Sequence, residues 1–320
     1  MAEIKDKINR LQNYMNSQII GQEDLVEKMI IALLADGHAL VEGAPGLAKT
    51  KAIKTLASMI KADYNRIQFT PDLLPSDITG SEIYVTSIGK FEFREGPVFA
   101  NLVLADEINR APAKVQSALL EAMAERQVSV GGKRYFLPKV FMVMATQNPI
   151  ENEGTYNLPE AQLDRFLMYI KIGYPDADSE KKILALVRGE VSGNELKPDF
   201  SLSVEDIMQA RQSALGVHMS EAMEEYLVHL VLATREAHKY DPALKGVISF
   251  GASPRATIAL ERCAKIHAWL QGRGFVAPED VQAIVYDVLR HRIILSFEAQ
   301  AEGLGTDDVI AGLLKRIALP

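Results

Sequence analysis

The sequence of 320 residues has a single cysteine, Cys263, so it has no internal disulfide. A chain without disulfides fits a reducing compartment, and we interpret Cys263 as a small core residue, with a reactive thiol as the alternative. No apolar run reaches about 18 residues, which argues against a membrane-spanning helix. Residues 1–10 are charged and lack an apolar stretch, so no signal peptide is expected. These absences predict a cytoplasmic protein.

The chain also lacks an excess of positive charge. It carries 35 Lys and Arg against 42 Asp and Glu, for a net charge of −7. Affinity for bulk nucleic acid requires a basic surface, so nucleic acid is not an expected partner, although a local basic groove is compatible with this balance. The 48% hydrophobic and 24% charged fractions are ordinary for a soluble globular protein. The length suffices for one large core or two domains.

A phosphate-binding pattern stands at residues 38–50. The run from His38 to Val41 predicts a strand, a turn rich in Gly and Pro follows, and a helical pattern begins at Lys49. In a P-loop, backbone N–H groups and a helix N-terminus hold phosphate oxygens. The Lys of that loop reaches the outer phosphates, and the hydroxyl after it, here Thr50, binds Mg²⁺. The spacing G-x-x-x-x-G-K-[ST] is kept except at Ala48, where a Gly is usual. The predicted nucleotide-binding residues of this loop are Gly43, Ala44, Pro45, Gly46, Leu47, Ala48, Lys49 and Thr50.

Two amphipathic helices are predicted before the P-loop, and Ile20 and Gly21 fall between them. Apolar residues followed by Gly-Gln just before a P-loop strand suit an adenine pocket. A helix–helix turn with a core contact explains the same residues, so both interpretations stay open at this point.

An acidic pair follows a second apolar strand. Residues 101–105 predict a buried parallel strand that ends in Asp106 and Glu107. Because α/β sheets bind ligands at the carboxyl ends of their strands, we expect these carboxylates beside the P-loop. One carboxylate would hold the Mg²⁺ shell, and the next would polarise an attacking water. The alternative is an acid-decorated helix N-terminus.

Asn148 follows a third apolar strand, predicted at residues 140–145. A polar side chain there suits a hydrogen bond to a γ-phosphate or to the attacking water, although Asn is also a common turn residue.

Two arginines are further candidates. Arg165 follows a predicted helix at residues 158–166 and suits insertion into a neighbouring subunit's site, with a surface pair to Asp164 as the alternative. Arg255 follows the cap signals Ser253 and Pro254, in the first turn of a helix, where the helix dipole disfavours a cation. A bound phosphate would reverse that sign, whereas an exposed Arg without a role is the alternative.

The chain divides by its element pattern. Alternating strands and helices fill residues 1–175, whereas residues 176–320 are almost wholly helical, with a predicted boundary after 175. Two β-hairpins interrupt the first part, one at 82–94, turning at 87–89, and one at 127–137. The prediction is an α/β nucleotide-binding core followed by an all-α lid domain.

Taken together, the chain resembles the MoxR family of AAA+ ATPases over nearly its whole length. The motifs that carry the resemblance are Gly43–Thr50, Phe69–Asp77, Phe93–Phe99, Ala105–Pro112, Ala145–Pro149, Leu158–Phe166 and Gly251–Ala256. Ala in place of the last P-loop Gly is itself a habit of this family.

The resemblance implies an αβα core with a parallel five-stranded sheet, a helix-2 insert at about 70–97, a hairpin at about 127–137 and a helical lid. It implies ATP and Mg²⁺ as cofactors. The implied roles are Walker A for Lys49 and Thr50, Walker B for Asp106 and Glu107, sensor 1 for Asn148, arginine finger for Arg165, sensor 2 for Arg255, and an adenine pocket at Ile20 and Gly21. Arg110 competes with Arg165 for the role of the finger.

The resemblance also implies ATP hydrolysis by a hexameric ring that remodels partner proteins in the manner of a chaperone, often with a von Willebrand factor A-domain partner. Two other classes stay open. One is a nucleotide-gated binding module with little turnover, and the other is a related motor that acts on nucleic acid or serves as a metal-chelatase subunit.

Overall fold

The computed structural model describes residues 2–87, 89–149, 154–191, 198 and 200–320. Its contacts group the chain into two compact units. The first consists of Met1–Phe166 with Ile170–Ala210, and the second of Leu167–Tyr169 with Arg211–Pro320. The helix that follows residue 175 is thus grouped with the first unit, and the domain boundary proposed there stays a prediction.

The strands, in chain order, are β1 (Ala39–Glu42), β2 (Tyr64–Gln68), β3 (Gly80–Val85), β4 (Lys90–Glu95), β5 (Leu102–Asp106), β6 (Gln127–Val130), β7 (Lys133–Phe136), β8 (Met142–Gln147), β9 (Met168–Lys171), β10 (Ile248–Phe250) and β11 (Ile294–Leu295). The helices are α1 (Ala2–Gln18), α2 (Glu23–Leu34), α3 (Lys49–Met59), α4 (Pro75–Thr79), α5 (Ala113–Glu125), α6 (Glu160–Leu163), α7 (Ala177–Val191), α8 (Val204–Leu215), α9 (Glu221–Arg235), α10 (Ala237–Tyr240), α11 (Pro254–Leu270), α12 (Pro278–Leu289), α13 (Phe297–Ala301) and α14 (Thr306–Arg316). Short 3₁₀ turns lie at Pro97–Phe99, Ile108–Arg110 and Pro242–Leu244.

The chain has a five-stranded sheet in the order β2–β5–β8–β1–β9, and its strands β2, β5, β8 and β1 lie in the first unit. β2, β5, β8 and β1 pair in parallel. Every residue of β5 is buried, as is all of β8 up to Thr146. That burial explains why the sequences of these strands are unbroken apolar runs, because a strand that is covered on both faces does not alternate apolar with polar residues. The predicted parallel αβα core is confirmed.

Both predicted hairpins are present as antiparallel pairs, β3 with β4 and β6 with β7. Phe93 of the first hairpin stacks on Tyr135 of the second, with ring centroids 3.9 Å apart. The turn residue Ile88, named above within 87–89, lies outside the described residues.

The second unit is built mainly of helices, as predicted. The apolar stripes of α9 and α12 are buried, so they form part of the core of this unit. One element was not anticipated, the short antiparallel pair β10–β11. Strands of three and two residues are too short to show an alternating pattern, so the sequence carries no signal for them. Among the described residues, no helix has the length and apolar character needed to cross a bilayer.

Candidate functional site

The loop between β1 and α3 has the backbone of a phosphate cradle. Gly46 has φ +83°, and a Cβ built on it would meet nothing within 4 Å, so the loop is open at this point. Ala48 adopts φ 56° and ψ 16° immediately before α3. This left-handed conformation costs an L-residue about 1 kcal/mol and is ordinarily given to Gly. Ala48 therefore replaces the usual Gly at a position whose backbone still has the geometry that favours Gly.

Gly43, at the start of the loop, allows the loop to pack closely against the segment after β9. A Cβ there would lie 2.4 Å from Cγ1 of Ile172, the residue after β9. Ile172 also donates its backbone N–H to the carbonyl of Glu42 at 2.9 Å. Gly43 packs so closely against this neighbouring segment that any side chain at position 43 would clash with Ile172.

Lys49 joins the loop to the end of β8. Its Nζ donates to the carbonyl of Gly43 at 2.6 Å and to that of Gln147 at 3.3 Å. β1 and β8 are in register, with Glu42 opposite Gln147, so the loop and the end of β8 share one edge of the sheet. Asn148, the next residue, is buried at this same edge. The structure thus brings the predicted Walker A lysine beside the segment that carries the predicted sensor.

Asp106 is held from both sides at the end of β5. The hydroxyl of Thr146, a fully buried residue of β8, donates to Oδ1 of Asp106 at 2.7 Å. Arg66 of β2 donates to Oδ2 through Nε at 3.2 Å and Nη2 at 2.6 Å. Since β2 and β8 flank β5, each neighbouring strand supplies one partner of this carboxylate.

Glu107 has a backbone conformation that is unusual for its type, with φ 56° and ψ 51°. Its N–H donates to Oγ1 of Thr146 at 2.9 Å. Its Oε2 accepts a hydrogen bond from Nε2 of Gln68 at 2.8 Å and lies 3.3 Å from Nη1 of Arg110. The Thr146 hydroxyl therefore contacts both acidic residues, one as a donor and the other as an acceptor.

The three candidate arginines have different settings. Arg110 pairs with Glu107 of its own chain, as described above. Arg165 is half-buried just after α6, which runs from Glu160 to Leu163 and is therefore shorter at both ends than the helix predicted at 158–166. Arg255 is exposed in the first turn of α11, where the hydroxyl of Ser253 accepts its N–H at 3.2 Å. The predicted cap of α11 is confirmed, and the predicted roles of all three arginines stay predictions.

A mostly apolar cavity of about 140 Å³ lies beside the loop in the first unit. Its lining residues are Gln18, Ile19, Ile20, Gln22, Gly46, Leu47, Ala48, Lys51, Pro175, Ile183, Leu186 and Val187. Ile20 lines this cavity. Gly21 does not line it. Gly21 has φ +75°, and a Cβ built on it would lie 2.9 Å from Cβ of Ser179, so the absence of a side chain at this turn lets α7 approach closely. An apolar cavity next to a phosphate cradle fits a planar base.

The residues at this edge also fit Mg²⁺ bound with a nucleotide. Thr50 offers a hydroxyl at the start of α3 and Asp106 a carboxylate, whereas no cluster of three or more His, Cys, Asp or Glu side chains suited to a metal occurs in the part of the chain that the structure describes. Such sparse protein ligation suits Mg²⁺, which keeps several waters and binds through one or two protein oxygens plus phosphates.

Four features of the site were missed in the sequence. Arg66 and Gln68 are two apart on β2 and so share a face, which points at the carboxylates. Their position at the carboxyl end of a parallel strand was the available signal. Thr146 directly follows the apolar strand predicted at residues 140–145, but Asn148 was taken as the functional residue of that segment. The α7 wall was missed although Ile183, Leu186 and Val187 have helical spacing.

Comparisons with known sequences agree with this geometry. The family described as "ATPase family associated with various cellular activities (AAA)" matches residues 38–168, and the "AAA lid domain" family matches residues 244–313. The chain is 46% identical to Chaperone MoxR1 of Mycobacterium tuberculosis, over 94% of this chain and 79% of the relative. It is 33% identical to Protein MoxR of Paracoccus denitrificans, over 91% of this chain and 90% of the relative.

The fold has a solved counterpart. A crystal structure of a protein from Cytophaga hutchinsonii, described as a candidate ATPase, superposes with a TM-score of 0.93 at 44% identity. The match covers 100% of this chain and 96% of that one. Both the sheet of the first unit and the helices of the second thus belong to a fold already observed by experiment.

Proposed function

The chain belongs to the MoxR family of AAA+ ATPases, and on that premise we propose that it hydrolyses ATP with Mg²⁺ to remodel or activate partner proteins. The buried hydroxyl of Thr146 supports this proposal most directly. It lies 2.7 Å from Oδ1 of Asp106 and 2.9 Å from the backbone nitrogen of Glu107, so that it holds the Asp106 carboxylate and the Glu107 backbone at the edge where Lys49 reaches Gln147. A phosphate cradle, a lysine and a fixed acidic pair at one sheet edge are the parts that phosphoryl transfer to water requires.

Each residue has a proposed role in this reaction. Lys49 and the loop amides neutralise charge on the β- and γ-phosphates, while Thr50 and Asp106 hold Mg²⁺, which supplies further charge neutralisation when bound. Glu107 orients the attacking water and accepts its proton, and Asn148 positions that water or the γ-phosphate. Ile20, Gly21 and the apolar cavity hold the base.

Turnover tests the two central roles. Lys49→Ala should abolish most ATP affinity, whereas Lys54→Ala, at an exposed position of the same helix, should leave it unchanged. Glu107→Gln should bind ATP but release phosphate at least about a hundredfold more slowly, because general base catalysis contributes about that much or more. Phosphate release at the wild-type rate by Glu107→Gln would remove Glu107 from its role, and unaltered affinity in Lys49→Ala would remove the P-loop assignment.

We propose that the active form is a hexameric ring. In this ring Arg165 of one subunit stabilises transition-state charge in the site of its neighbour, and Arg255 contacts phosphate. Mixing Arg165→Ala subunits with Lys49→Ala subunits tests this, because each lacks a different half of the shared site. Recovery of activity in the mixture is expected. A mixture of Arg110→Ala with Lys49→Ala that recovers instead would assign the finger to Arg110. Mass measurement with and without ATP gives the subunit number.

We propose that clients are proteins, bound in the cytoplasm, and that a von Willebrand factor A-domain protein is one partner class. The hairpins are the proposed contact, since Tyr84 and Phe91 of the first and Phe136 of the second are exposed. Glu107→Gln, held in the ATP state, should retain clients in a pull-down. Adding Tyr84→Ser and Phe91→Ser to this variant should reduce the yield of clients. If the triple variant retains the same proteins in the same amounts, the contact lies elsewhere.

A further inference from the structure

Arg66 places a guanidinium against the carboxylate that the proposed function assigns to the Mg²⁺ shell. Its Nε and Nη2 lie 3.2 and 2.6 Å from Oδ2 of Asp106, and Nη2 also donates to Oε1 of Gln68 at 2.9 Å. Oδ1 of Asp106 accepts the Thr146 hydroxyl at 2.7 Å. Both oxygens of Asp106 therefore have hydrogen-bond donors without any metal ion, and one of these donors is a full positive charge.

The two members of this pair differ in their freedom to move. The Asp106 side chain is only 12% exposed, at the end of a buried strand, whereas that of Arg66 is 48% exposed. A long side chain that is half in solvent can turn away into water, where its guanidinium is hydrated, and an incoming divalent cation would then supply the positive charge beside Asp106. The carboxylate has no such alternative, since leaving its place would break its bond to Thr146.

A divalent cation and the Arg66 guanidinium are both attracted to the Asp106 carboxylate. A guanidinium next to a doubly charged ion is repelled by it even in a water-like dielectric. Both cations therefore stabilise the same carboxylate, and neither gains from the presence of the other.

We propose that Arg66 is a displaceable counter-ion of Asp106, which leaves the carboxylate when the divalent cation of the nucleotide enters. Arg66 thereby sets the concentration of free Mg²⁺ that the site requires. This inference rests on the proposed function, because it takes Asp106 as part of the Mg²⁺ shell. It adds a residue of β2 that discourages premature metal binding and keeps the carboxylate neutralised in the absence of nucleotide.

If Arg66 is a displaceable counter-ion, its removal changes the affinity for Mg²⁺ and the affinity for metal-free nucleotide in opposite directions. Loss of the Arg66 charge makes the site more negative, so Mg²⁺ binds more readily while metal-free nucleotide, itself an anion, binds more weakly. A residue that merely orients Asp106 toward the metal would give the reverse sign for Mg²⁺. A residue that only stabilises the fold would change neither constant in the folded protein.

The experiment uses the full chain and a fluorescent, non-hydrolysable ATP analogue, with binding measured by anisotropy. One titration is made in EDTA, and a second varies free Mg²⁺ at a fixed analogue concentration. For Arg66→Met, the half-saturating free Mg²⁺ should fall about three- to tenfold, and the Kd in EDTA should rise about threefold. Arg66→Lys keeps the charge but not the forked hydrogen bond, so its values should lie between those of the wild type and Arg66→Met.

Arg262→Met is the matched control, because it removes the same charge from an exposed position of α11 and should leave both constants unchanged. A half-saturating Mg²⁺ that rises, or stays within twofold of wild type, in Arg66→Met overturns the proposal. If that variant does not fold, Arg66→Gln, which also removes the charge, is judged by the same criterion. Failure of the proposed function has a different signature, since the wild type itself would then bind the analogue no better than Lys49→Ala.

Discussion

Gln68 and Glu107 are joined across two adjacent strands by a hydrogen bond of 2.8 Å, in which Nε2 of Gln68 donates to Oε2 of the carboxylate. The carbonyl oxygen of the same amide accepts Nη2 of Arg66 at 2.9 Å. Gln68 thus links the ion pair at Asp106 to the proposed base, and it occupies one of the two carboxylate oxygens of Glu107. Glu107 is therefore restrained in this structure.

Gln68→Ala should raise the ATPase rate measured without any client, by about two- to fivefold. The bond is solvent-exposed, so we expect its loss to free Glu107 by about 0.5–1 kcal/mol, the lower part of the range for a protein hydrogen bond. Asn65→Ala is the control, because Asn65 is on the same strand but donates to the carbonyl of Pro97 at 3.0 Å and does not touch the carboxylates. A slower rate in Gln68→Ala would show that the amide positions Glu107 for catalysis instead of restraining it.

Thr146→Val should lower kcat by about ten- to a hundredfold while KM changes little. The substitution keeps the shape of the side chain but leaves Oδ1 of Asp106 and the N–H of Glu107 without their buried partner. We expect a loss of about 1–3 kcal/mol in the free energy of unfolding, measured in urea. Thr146→Ser, which keeps the hydroxyl, should restore most of both. Equal kcat in Val and wild-type proteins would contradict the positioning role.

Gly46→Ala and Gly43→Ala should separate ligand binding from folding. At Gly46 the added methyl enters open space at φ +83°, so stability falls by about 1 kcal/mol while nucleotide affinity falls about tenfold or more. At Gly43 the methyl meets Ile172 at 2.4 Å, and we expect about 1–3 kcal/mol of destabilisation. Urea unfolding and analogue binding, compared for the two variants, measure both effects. Gly46→Ala that binds the analogue as tightly as wild type would place the phosphates elsewhere.

The sequence predicted the parts of the site that lie where strands end. Asp106, Glu107 and Asn148 follow apolar runs, and a buried parallel strand needs such a run whatever its partners are. The loop residues from Gly43 to Thr50 are contiguous, so their spacing is visible without a structure. These features depend on local pattern, which is why they could be identified before the fold was known.

Partners from other strands could not be predicted in this way. Arg66 and Gln68 meet the carboxylates only because β2 pairs with β5 in one register, with Gln68 opposite Asp106. The hydrophobic pattern restricts such a register, but which strand lies beside β5 depends on the tertiary fold, so the end of β2 could not be matched to its partner. The left-handed conformations of Ala48 and Glu107 were also hidden, since neither residue type favours them.

Asp206→Asn should lower stability by about 1 kcal/mol near neutral pH and have a smaller effect below about pH 4. The backbone N–H of Ser203, at 2.9 Å, and then the Lys7 ammonium, also at 2.9 Å, hold the pKa of Asp206 below its usual range. A lowered folded pKa gives stability that is present above the unfolded pKa and is lost as the pH falls through the folded one. Urea unfolding of both proteins between pH 3 and 8 measures this. Asp178→Asn, at an exposed carboxylate of α7, is the control for the change of one unit in net charge.

Cys263 should be inert in the folded protein. Complete burial within α11 raises the pKa of its thiol to about 12, so at pH 8 about one molecule in ten thousand carries the reactive thiolate. Ellman's reagent should therefore label no thiol within minutes under native conditions and one thiol per chain in guanidinium chloride. The native labelling rate should rise in step with fraction unfolded as urea is added, because the thiol reacts only when its helix opens. Rapid stoichiometric labelling without denaturant would instead identify Cys263 as a reactive thiol, the alternative that the sequence alone left open.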